Sequence, residues 1–268
     1  MYAYHYGYTH PSKAALAASG ITPSDVANLE IWLQSDEGVD PRVSQAPLSD
    51  GDNVLTWNDQ SGNSNDFTQS TEADQPLYQA NEINGEAVIE SDGVTEHLTL
   101  GSVPVSGNSA GTLFVVHKIE GADSQNYILS SADNASGDKY INFYTGEIGG
   151  NQKILIDMRN GGTRELLHGD TTLNDATAYL LVWRSDGSTT DLFVNNNQES
   201  ITEFVGTNTG AWFHDTAGLD NMNIGCLNRS SALFHVAKGA EYVYYSGAIT
   251  GDDFTGLQNY FNDKYNLW

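Results

Sequence analysis

Short apolar runs, separated by clusters of Gly, Asn, Asp and Ser, recur along most of this chain. Leu29-Glu30-Ile31-Trp32-Leu33 alternates with period two, the pattern of a half-buried strand. Comparable runs lie at 54–57, 87–90, 98–100, 112–116, 127–129, 141–144, 154–156, 179–183, 192–194, 201–204, 222–227 and 242–245. Many short strands divided by turn residues predict an antiparallel sandwich or barrel. One segment changes period. Phe254, Leu257, Tyr260, Phe261 and Tyr265 recur at three- and four-residue spacing, which predicts a helix over 251–265 with one apolar stripe. Thr250 with Asp253 three residues on reads as its capping box.

The first 24 residues read differently. Tyr2, Tyr4, Tyr6 and Tyr8 alternate with small or polar residues, a strand period with one aromatic face. Ser12 then caps a short helix, Lys13-Ala14-Ala15-Leu16-Ala17-Ala18, which stops at Gly20. A helix this short is marginal alone in water, so the segment must pack on its own sandwich or on a neighbouring subunit. The expected layout is an arm over 1–24 and one β-sandwich over 25–268.

Composition narrows the partners. The formal net charge is −24, which excludes nucleic acid as a partner, because that binding needs a basic footprint. The same charge opposes an anionic membrane surface, and no apolar run is long enough to span a bilayer. The lone cysteine, Cys226, has no internal disulfide partner and reads as a buried, inert strand thiol.

Four segments carry a family resemblance. The first is Trp57-Asn58-Asp59-Gln60-Ser61-Gly62-Asn63-Ser64-Asn65, a polar loop after a short strand. The others are Asp92-Gly93 with Leu98, Asp186-Gly187 with Leu192-Phe193-Val194-Asn195-Asn196, and Asn223-Ile224-Gly225 with Gly239 to Tyr245. In this order they resemble laminin-G-like domains of the concanavalin A-like lectin/glucanase superfamily. The resemblance implies an all-β, two-sheet antiparallel jelly roll with a C-terminal helix. The polar side chains of the Trp57 loop are expected to bond their own backbone, making it a fold-defining connection.

The glucanases of that superfamily imply alternate carboxylates along one strand. The nearest match, Glu90, Asp92 and Glu96, has one residue too many and a glycine in the middle, so no catalytic residue is assigned. Some laminin-G-like domains hold calcium, and Asp50-Gly51-Asp52 and Asp215 with Asp220 offer oxygen ligands; no other cofactor is indicated. For glycan binding the candidate is the loop Trp212, Phe213, His214 and Asp215, with two large aromatics; its rings serve either a sugar face or a sheet edge.

The leading segment lacks the basic and apolar regions of a signal peptide. A lone lectin-like module of this kind is expected on a virion surface, as a capsid decoration or tail-associated protein. The Tyr arm would bind neighbouring subunits or another copy. The alternative is a carbohydrate-binding lectin domain, extracellular or on a cell surface, with a glucanase third.

Overall fold

The computed structural model describes residues 20–41, 48–104, 107–121 and 125–268. Two antiparallel sheets form the jelly-roll sandwich. The eight-stranded sheet runs Asn197–Gln198, Thr190–Val194, Ala178–Asp186, Ala110–Lys118, Val236–Tyr245, Glu86–Asp92 and Leu77–Ile83. Its eighth strand, Leu29–Gln34, pairs with Val236–Tyr245. The ten-stranded sheet runs Thr202–Val205, Thr163–His168, Asn151–Asn160, Lys139–Ile148, Asn126–Ala132, Asn221–Ile224, Leu98–Leu100, Phe67–Thr68, Val54–Trp57 and Val39–Pro41.

Strand alternation sorts side chains into three apolar layers. Ile141 and Phe143 stand opposite Met158 and Ile156 in register, and all four enter the layer between the sheets. Tyr140 and Tyr144, one residue out of phase, point to the outer face of the ten-stranded sheet and pack with Leu155 and Leu166. The outer face of the eight-stranded sheet carries Phe114, Val116, Val182 and Val243, and the helix Gly251–Tyr265 covers it.

That helix has the bounds expected from its apolar stripe, and Phe254, Leu257, Tyr260, Phe261 and Tyr265 are buried. The capping box is not made: Thr250 caps with backbone alone. Burial of the stripe supplies the stability that capping does not. A fully buried carboxylate, Glu241, anchors the helix. Its Oε1 accepts hydrogen bonds from Trp32 Nε1 at 2.6 Å and Tyr260 at 2.8 Å. Its Oε2 accepts from Lys264 and Tyr265, both at 2.9 Å. Burial, then the Glu241 charge, pushes both tyrosine hydroxyls well above their ordinary range, so they remain donors. Burial alone would lower Lys264; the carboxylates of Glu241 and Asp36 reverse this and raise it.

The Trp57 loop serves its own backbone and one strand. Asp59 Oδ1 accepts from the amides of Trp32 (2.8 Å) and Ser61 (2.9 Å). Asp59 Oδ2 accepts from Ser61 Oγ (2.6 Å) and the Asn65 amide (3.0 Å). Asn63 and Asn65 donate to the carbonyls of Leu29 and Glu30 at 2.8 Å. The loop therefore closes the outer edge of Leu29–Gln34, whose ladder partner lies on its other side.

Several expectations shift. Strands Leu77–Ile83 and Thr163–His168 were not expected. The hairpin turn after Val194 uses Asn195 at φ 55, and Asn195 Oδ1 accepts from Leu180 N at 3.0 Å. Tyr2, Tyr4, Tyr6, Tyr8 and the 13–18 helix lie outside the described residues. Residues after Gly20 dock on the sandwich: Ile21 packs over Gly256, and Tyr245 donates to the Pro23 carbonyl at 2.9 Å. Cys226 is buried, and burial pushes its thiol up to about 12. Among the described residues no helix is long and apolar enough to cross a membrane.

Candidate functional site

A groove of ≈ 280 Å³ opens where the Asn151–Asn160/Thr163–His168 hairpin meets the 206–216 loop. It lies at the small end of ligand sites. The hairpin reverses direction at Gly161, φ 62, which an L side chain rarely tolerates. The loop is held close at Gly206, where a Cβ would lie 2.5 Å from the Arg164 carbonyl. Asn160 Nδ2 donates to the Asp215 carbonyl at 2.9 Å, which ties hairpin to loop.

Arg159 and Arg164 stand opposite each other in the hairpin, an unfavourable like-charge pair. Two carboxylates offset it. Asp157 takes Arg164 in a bidentate grip, at 2.8 Å from Nε and 2.7 Å from Nη2, which raises the Arg164 pKa. Arg159 lies 3.3 Å from Asp138. Tyr140 also donates to Asp157 at 3.2 Å; its own hydroxyl is raised by burial and by that carboxylate.

Glu165 is the unusual member. It is 6% exposed and lines the groove. Its Oε2 accepts from Thr209 N at 3.1 Å and Thr209 Oγ1 at 2.7 Å. Its Oε1 is buried with no hydrogen-bond partner. A buried carboxylate oxygen left without a donor costs free energy in the empty groove.

The structure divides the expected glycan-binding loop. Trp212 and Phe213 are buried in the layer between the sheets and offer no face to a sugar. Trp212 stacks near Trp183, ring centroids 4.0 Å apart, and donates to Tyr244 at 3.1 Å. It lies flat on Gly111, where any Cβ would meet the indole within 2.4 Å. Large aromatic area is worth more in the core than at the surface, which is why the loop folds inward. His214 is exposed, and Asp215 reaches the groove. Asp215 is also a structural bracket: its oxygens accept from Ser109 at 2.6 Å and Trp212 N at 2.8 Å.

The other candidates have local duties. Asp50 and Asp52 accept from the amides of Ala80 and Ser49, and Asp220 from Asn134. Among the described residues no three His, Cys, Asp or Glu side chains gather as a metal site. Glu90 pairs with Lys238 at 3.2 Å in the eight-stranded sheet, remote in topology from the groove hairpin. Asp92 Oδ1 accepts three successive turn amides, and Glu96 accepts from Asp92 N at 3.0 Å. Burial and the Asp92 charge raise Glu96 to about 7.

Arg159, Arg164 and Glu165 were missed from sequence. A signal was present: Asn160-Gly161-Gly162 between two alternating runs is a hairpin turn, and it would have placed Arg164 and Glu165 on a strand.

No protein-family model matches the chain, and no curated protein matches it in sequence. Solved structures do resemble it. Domain 4 of AbnA, a GH43 extracellular arabinanase from Geobacillus stearothermophilus solved with arabinotriose, superposes with a TM-score of 0.56 and 13% identity. That match covers 85% of this chain and 97% of the domain. The NanB sialidase from Streptococcus pneumoniae gives a TM-score of 0.51 and 17% identity, over 68% of this chain. The chain spans 27% of the sialidase's length. At these identities the likeness is one of fold. The class defined is a jelly-roll sandwich related to concanavalin A-like lectins; the laminin-G-like assignment gains no family match.

Proposed function

We propose that this chain is a non-catalytic carbohydrate-binding module that holds a sugar chain in the groove between the 151–168 hairpin and the 206–216 loop. The observation that carries this reading is Glu165, whose buried Oε1 lacks a donor beside the guanidiniums of Arg159 and Arg164. Sugar hydroxyls donate and accept at once, so they suit a wall that presents both kinds of group. Met158 and Ala211 add apolar surface for the ring carbons. Phe204, 58% exposed and two residues before the groove-lining Gly206, is the aromatic available for stacking. Support also comes from the arabinotriose complex of the fold neighbour.

Glu90, Asp92 and Glu96 hold an ion pair and a turn, which favours binding over hydrolysis. The virion role rests on Tyr2, Tyr4, Tyr6 and Tyr8, outside the described residues; the fold and the groove favour the glycan reading. Affinity electrophoresis through gels containing polysaccharides tests it. Retention of the unmodified protein, reduced in Arg159→Ala and Phe204→Ala, is the expected result. Free migration through every gel, or retention indifferent to both substitutions, sinks it.

A further inference from the structure

We propose that the groove selects uncharged sugar chains and turns away glycans that carry carboxylates. This rests on the carbohydrate-binding reading and narrows its ligand class.

The first reason is hydrogen-bond sense. Glu165 Oε1 is a buried acceptor in want of a donor. A hydroxyl supplies one, whereas an ionised carboxylate brings acceptors alone. The second reason is that the cationic fork is already closed. Bidentate contact with a guanidinium is the strong way to hold a carboxylate, and Asp157 occupies Arg164 in that geometry. Asp138 stands beside Arg159.

The third reason is charge. Glu165, Asp215, Asp157 and Asp138 outnumber the two guanidiniums two to one. Glu203 adds another carboxylate on the loop, where it accepts from Asn208 N at 2.8 Å. A formal charge of −24 extends the same sign over the whole chain. A sugar hydroxyl escapes all three penalties. It can donate to Glu165 and accept from a guanidinium N–H that Asp157 leaves over, since each guanidinium has five.

The test runs the unmodified protein through gels of neutral polysaccharides (arabinan, xylan, mixed-linkage glucan, galactomannan) and acidic ones (polygalacturonate, alginate, polysialic acid). Salt is set at about 0.15 M and about 1 M, the latter shortening the Debye length to ~3 Å so that long-range repulsion is removed. Retention by at least one neutral polymer at both salts, and by no acidic polymer at either, supports the proposal. Stronger retention by an acidic polymer overturns it while leaving the carbohydrate-binding reading intact. Free migration in all gels removes both. Glu165→Gln, which keeps the shape but places an amide where the free acceptor can be, is expected to weaken neutral-sugar binding about tenfold or more. Unchanged affinity in that variant overturns the assignment of Glu165 as the anchor.

Discussion

Glu241 and Glu165 are both buried glutamates on strands of this sandwich, and the fold completes only one of them. Glu241, 0% exposed, receives four donors, two on each oxygen. Glu165 receives two, both on Oε2, and its Oε1 has none. The first is sealed beneath a helix; the second lines a groove. A carboxylate with every acceptor site engaged is a rivet between two elements. One left half engaged is destabilised until a donor arrives from outside, and that marks where a ligand gains most.

The largest way to break this comparison is Glu241→Ala. Lys264, with its side chain 5% exposed, then keeps a buried charge beside a lost partner. The expected loss is ~3–5 kcal/mol, a fall of about 10 °C in the thermal midpoint. Replacing both partners by Met should restore much of it. A midpoint unmoved by Glu241→Ala would show that the helix docks by apolar contact alone.

Asp59→Ala comes next, at about 2–3 kcal/mol, because four donors converge on that carboxylate and two amides would lose their partners. Chemical denaturation would read it. A change within experimental scatter would mean that the polar loop is not what closes the edge strand.

Glu165→Gln should move stability by less than ~1 kcal/mol, against its large effect on glycan affinity. Equal damage to both would make Glu165 a second rivet and erase the contrast.

Glu96 gives the smallest effect. Its folded-state pKa, about 7, lies above the ordinary 4.5, so the folded protein holds that proton more tightly. The associated stability is fully present below pH 4.5 and is lost as pH rises through about 7. Glu96→Gln should flatten that decline, by less than ~1 kcal/mol given the half-exposed position of the group. An unchanged slope between pH 4.5 and 7.5 would place the proton elsewhere.

Binary patterning alone located most strands and the helix 251–265, because period two and period 3.6 state which face is buried. The Trp57 loop was legible for a similar reason: Asn, Asp and Ser bond backbone within a few residues, so the chemistry is local. The groove was not. Arg159 and Arg164 meet through a hairpin register, but Glu165 meets Thr209 across 44 positions of sequence. Composition could not say whether Trp212 faced a sugar or the core either. Gly111, a hundred residues away, leaves the space that draws the indole inward.

The sequence by itself determined the class of fold, the number and kind of elements, and the exclusion of nucleic acid by charge. Those follow from local periodicity and summed composition. Tertiary structure decided which carboxylate is sealed and which is left half satisfied, because that depends on donors brought from distant segments, and no local pattern records them.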